Sequence, residues 1–159
     1  MIILQFVAGE DLCSDLIEWK GAGKFSHVDA VLPTQDLLGA RSDVIQGIPA
    51  GVRVRPPDYE PWAHVSRVTI PCTDAQQDAF MTFIQSKIGT AYNSVGILGI
   101  LLDDAGVTNQ SDLFCSQFLT EAVQASGVWS HPLGVPANTV DPNDLYKITS
   151  TYGEVAVLK

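Results

Sequence analysis

The chain has 159 residues, room for one domain with a core of its own. Hydrophobic residues make up 46% and charged residues 17%, which matches ordinary globular domains and excludes an intrinsically disordered chain. Eighteen acidic residues against nine basic ones give a formal net charge of −9, which argues against a nucleic-acid surface and against docking on anionic membranes.

The three cysteines, Cys13, Cys72 and Cys115, are odd in number and show neither a CxxC pair nor Cys/His spacing suited to zinc. No disulfide framework, metal or other cofactor is therefore expected, and a reducing, cytoplasmic location is. The opening MIILQFVAGED lacks the basic start of a secretory signal. The longest apolar run, residues 95–102, is too short to span a bilayer.

In chain order, residues 2–7 read as a buried strand, and residues 11–20 as a helix stopped by Gly21-Ala22-Gly23. Residues 26–32 and 37–40 read as a hairpin across Pro33-Thr34-Gln35-Asp36. Strands follow at 52–55 and 64–70, each closed by proline. Residues 73–87 give the clearest helix, capped by Thr73 or Asp74, with Phe80, Phe83, Ile84 and Ile88 as its apolar stripe. A glycine-interrupted helix is expected at 94–102 and another from Cys115 to about Ser126, ended by Gly127. Residues 132–142 read as loop, 144–148 as a short helix and 154–158 as a last strand. With no repeat or linker, residues 1–159 are expected to form one α+β domain.

Cys115 begins its helix, where the positive end of the helix dipole favours thiolate over thiol and so a nucleophile. It also shares a helical face with Phe118, Leu119, Ala122 and Val123, as a packed core cysteine would. A catalytic reading needs a base elsewhere in the chain. His131 reads as a solvated loop residue and His64 as a strand-edge residue. His27 shares one strand face with Asp29, opposite the apolar set Val28, Ala30 and Leu32. That face is either an ordinary solvated one or an imidazole and carboxylate projecting together. Arg41, Arg53 and Arg55 cluster around the neighbouring strands, as a carboxylate-binding group or as internal salt bridges. Trp62, in Tyr59-Glu60-Pro61-Trp62, is placed to pack or to rim a cleft.

GKFSHVDAVL, GTAYNSVG and DLFCSQFLTEAVQASG, in that order, resemble the three signature segments of the permuted NlpC/P60 hydrolases of the YiiX-like kind. These are papain-like cysteine hydrolases in which the strand histidine precedes the helix cysteine. The resemblance implies a central antiparallel sheet packed against helices, Cys115 as nucleophile and His27 as its base. It places Tyr92 at the substrate site, with Ser26 and Ser116 beside the two motif residues as further substrate contacts. It implies no cofactor and a peptide, cell-wall or acyl substrate, with a peptidoglycan stem peptide foremost. SHVDAVLP and LLGARSDV also resemble segments of bacteriophage and prophage proteins, which would add virion partners or a virion-associated location. Lipid acyltransferase or thioesterase activity, and a non-catalytic phage assembly role, are the competing expectations.

The chain departs from the family pattern at Asn93, Gln117 and, most consequentially, Gly39. Relatives often carry a polar residue at the last position, on the strand beside the histidine, and glycine cannot orient an imidazole. Asp29 is the expected substitute, although side chains at i and i+2 run parallel and a direct bond would be strained. Gln46, Gln5 and Asp43 are weaker candidates.

Overall fold

A computed structural model describes residues 1–9, 23–92 and 114–159. The helices expected at 11–20 and 94–102, together with Cys13 and Asn93, lie outside those residues. The described architecture is mixed α+β. Strands β1 (Ile2–Ala8), β2 (His27–Val31), β3 (Leu37–Arg41), β4 (Gly51–Arg55), β5 (His64–Ile70) and β6 (Glu154–Val157) form one sheet. Their order is β4-β3-β2-β1-β5-β6, and every pairing is antiparallel.

Register follows from which residues must be buried together. Leu4 pairs with Ala30 and Val68, and Phe6 pairs with Val28, so one face of the central strands is continuously apolar. Helices α1 (Asp74–Ser86) and α2 (Cys115–Ser126) cover it with Phe80, Ile84, Phe118, Leu119, Ala122 and Val123. The start of α1 is set by a capping box. Thr73 accepts from the Gln76 N–H, and the Gln76 side chain accepts from the Thr73 N–H. Gly127, at φ 70°, closes α2 in the left-handed conformation that glycine adopts without a Cβ penalty.

Two expectations need correction. Helix α3 (Pro142–Ser150) is longer than the segment 144–148, because Asp141 caps it by accepting from the Asp144 N–H at 2.8 Å and Pro142 suits the first turn. A 3-10 turn, Ala137–Thr139, interrupts the expected loop before it. The second concerns the other face of β2, where a solvated surface was one of the two readings. The segment between β4 and β5 folds over it, and Tyr59 and Trp62 join Val7, Val31 and Leu37 in a second apolar cluster. Every residue of β2 is consequently buried.

Residues 140–143 tie α2 to the start of β2. The Ser116 hydroxyl donates to the Val140 carbonyl at 2.7 Å. The buried Asn143 amide accepts from the Phe25 N–H and donates to the Phe25 carbonyl, both at 2.9 Å. Gly23 leaves room for that amide, since a Cβ there would lie 2.2 Å from Asn143 Oδ1. Among the described residues no helix is long and apolar enough to cross a membrane.

Asn143→Ala is expected to destabilise the fold, because it strands two buried backbone groups at a cost of about 1–3 kcal/mol each. Asn143→Asp, which keeps the acceptor and loses the donor, should fall between Ala and wild type in urea unfolding. An Ala variant as stable as wild type would show that this clamp carries no weight.

Candidate active site

Cys115 and His27 come from different layers. Cys115 is the first residue of α2, and its N-cap, Phe114, provides no side-chain hydrogen bond to the first turn. The first-turn amide N–H groups of α2, beside the thiol, thus receive no bond from the N-cap side chain. His27 opens β2. The packing of α2 on β2 puts Cys115 among the groups whose electrostatics act on the His27 imidazole. Both residues are buried, Cys115 at 3% and His27 at 6% exposure.

Asp29 completes the arrangement from the histidine's own strand. Its Oδ1 lies 2.9 Å from His27 Nε2. With Nε2 engaged by Asp29, Nδ1 is the ring nitrogen that Asp29 leaves free of its own carboxylate. The strain expected of an i, i+2 bond is relieved by lateral space at Gly39. The pairing of Ala30 with Leu38 brings Gly39 beside Asp29 on the neighbouring strand. A Cβ at Gly39 would fall 1.8 Å from Asp29 Oδ1. The carboxylate occupies the volume that a side chain at position 39 would need. Glycine at that position is therefore the complement of Asp29, not a gap in the site.

The electrostatics follow from these contacts. Burial works against a charged imidazole, but the Asp29 carboxylate and Cys115 outweigh it, and the His27 pKa rises from 6.5 to about 9. These contacts favour the imidazolium form of His27. Burial likewise opposes the Asp29 carboxylate, yet its pairing with His27, the Tyr59 hydroxyl and the charge of Arg41 hold its pKa below the usual carboxylate value.

A wall of aromatic and cationic groups closes the Asp29 side. Tyr59 donates its hydroxyl to Asp29 Oδ2 at 2.8 Å. Trp62 stacks over His27, with centroids 6.0 Å apart and planes 14° from parallel. The Arg41 guanidinium lies 5.6 Å from the Tyr59 ring centroid and 5.2 Å from that of Trp62. Arg41 itself is paired with Asp43 and Glu60, each at 3.0 Å. Tyr59 was missed by the sequence reading, which weighed only Trp62 of this loop. The available signal was an aromatic pair in a proline-bounded connection beside the histidine hairpin.

The remaining expected site residues are placed differently. Ser26 is buried and accepts from the Gly9 N–H at 3.1 Å, tying the end of β1 to the start of β2. Ser116 is fully buried in its bond to Val140. Both hydroxyls thus serve as ties to backbone groups. Tyr92 is half-buried against the main core. Among the weaker candidates to orient His27, Gln5 accepts from Arg67, Gln46 donates to the Tyr59 carbonyl and Asp43 pairs with Arg41. Arg55 is buried and donates to the carbonyls of Gly39 and Pro49, so its role is to hold backbone.

No family model matches the sequence, and no curated protein matches it. Among solved structures, the chain is similar to the metalloprotein yiiX from Escherichia coli O157:H7, with a TM-score of 0.56 and 11% identity, over 98% of this chain and 87% of that one. Among the described residues no group of three or more His, Cys, Asp or Glu side chains is arranged to hold a metal ion. The likeness is one of fold, which in this chain is a mixed α+β architecture with a six-stranded antiparallel sheet.

Proposed function

We propose that this protein is a cysteine hydrolase of the permuted NlpC/P60, papain-like type, with Cys115 as nucleophile, His27 as acid and base, and Asp29 as the residue that orients His27. The observation that carries the reading is the buried His27–Asp29 pair, Nε2 to Oδ1 at 2.9 Å, on the strand against which the Cys115 helix packs. The order of the three sequence motifs and the fold shared with yiiX support it.

In the proposed reaction the Cys115 thiolate, paired with the His27 imidazolium, attacks the carbonyl carbon of an amide or ester. Amide N–H groups at the start of α2 receive the developing oxyanion. The tetrahedral intermediate collapses as its bond to the leaving group breaks. His27 gives its proton to that amine or alcohol, leaving a thioester on Cys115. The now neutral His27 takes a proton from water, hydroxide adds to the thioester carbon, and the acid departs with the thiolate restored. An acyl group on an amide nitrogen, foremost a peptidoglycan stem peptide, is the substrate class that the motif resemblance favours.

At pH 6, iodoacetamide is expected to modify Cys115 about tenfold or more faster than Cys13 or Cys72, because ordinary thiols are almost wholly protonated there. His27→Ala should remove that advantage. Equal labelling of all three cysteines would contradict the proposal.

The pairing of Asp29 with Gly39 gives a second test. Gly39→Ala should destabilise the fold by about 1–3 kcal/mol, as overpacking does, and should remove the labelling advantage. In an Asp29→Ala background the same change should be nearly neutral, since the clashing carboxylate is gone. Equal destabilisation by Gly39→Ala in both backgrounds would show that position 39 is constrained by something else.

A further inference from the structure

On a β-strand, side chains at i and i+2 stand side by side on one face, with no intrinsic tendency to turn toward each other. Asp29 therefore needs something beyond its place in β2 to present a carboxylate oxygen to His27. Gly39 gives the carboxylate room, but room alone does not set a direction. Its second oxygen, Oδ2, accepts the Tyr59 hydroxyl at 2.8 Å while Oδ1 faces His27 Nε2.

Tyr59 is itself held from several directions. Its ring meets Trp62 edge-on, with centroids 5.4 Å apart and planes at 88°. The guanidinium groups of Arg41 and Arg55 lie 5.6 Å and 5.8 Å from its ring centroid. Gln46 donates to its carbonyl at 3.2 Å, and its own N–H donates to the Pro56 carbonyl at 3.2 Å. Tyr59 is 3% exposed, so water scarcely competes for the hydroxyl.

We infer that Tyr59 is a positioning residue for the active site, fixing Asp29 so that Asp29 fixes His27 with Nδ1 toward Cys115. The inference rests on the cysteine-hydrolase reading and extends it to a four-residue chain, Cys115–His27–Asp29–Tyr59. The fourth member comes from the connection between β4 and β5. Burial and the adjacent carboxylate both push the Tyr59 pKa upward, so the hydroxyl remains a donor throughout the working pH range.

Tyr59→Phe keeps the ring and its contacts and deletes only the hydroxyl. The test is the rate of Cys115 alkylation by iodoacetamide between pH 5 and pH 8, in wild type, Y59F, D29N and the D29N/Y59F double variant, with thermal unfolding measured alongside. If Tyr59 acts through Asp29, Y59F slows alkylation at pH 6 by about tenfold and moves the acid limb of the profile to higher pH. That shift arises because a carboxylate without its donor protonates more readily. In the D29N background the same change then has less than about a twofold effect, as expected when one residue acts through the other. A folded Y59F protein with the wild-type profile overturns the positioning role and leaves the hydrolase reading standing. Equal slowing by Y59F with and without Asp29 also overturns it, because the hydroxyl would then act by another route. If wild-type Cys115 shows no preferential alkylation at pH 6, both readings fall together.

Discussion

The site depends on a carboxylate that is 1% exposed and remains charged because each of its oxygens is engaged. Burying an ion without partners is costly enough that the group would ordinarily take up a proton. Asp29 avoids that cost by accepting from His27 on one side and from Tyr59 on the other. The same pairing is one of the causes that raise the His27 pKa to about 9. One strand residue thereby favours the charged imidazole and sets the place where Tyr59 docks.

Several features of the fold are consequences of this arrangement. β2 must be covered on both faces, by α2 on one side and by the loop carrying Tyr59 and Trp62 on the other. β3 must carry no side chain at position 39. The helix bearing the cysteine and the strand bearing the histidine must keep a fixed separation, and residues 140–143 bridge them with bonds to Ser116 and Phe25. Buried hydrogen bonds of this kind are expensive to break with one partner left behind, so they fix geometry more strongly than their net stabilisation implies.

Much of the framework was legible in the sequence because its signals are local. The Thr73 cap, the Phe80 and Ile84 part of the α1 stripe (Ile88 lies past the helix end and is exposed), the glycine ending α2 and the alternation in β2 depend on neighbours a few residues apart. The face shared by His27 and Asp29 was legible for the same reason. What escaped depends on distant contacts. Alternation alone could not say that the polar face of β2 would be covered, because the cover lies in a loop about thirty residues away. Gly39 looked like a defect because its counterpart, the Asp29 carboxylate, lies on the adjacent strand. The backbone groups that the Ser26 and Ser116 hydroxyls bond, near Gly9 and Val140, were likewise not legible from their places beside His27 and Cys115. The extra turn of α3 was missed although Asp141 and Pro142 are an ordinary helix start.

If Asp29 holds His27 as an imidazolium beside Cys115, the titration of that one ring reports it. In protein labelled with ¹⁵N at histidine, both ring nitrogens of His27 are then expected to carry protons at pH 7. The midpoint should lie near 9 and fall sharply in Asp29→Asn. A midpoint at or below the ordinary histidine value of about 6.5, unchanged by Asp29→Asn, would contradict it.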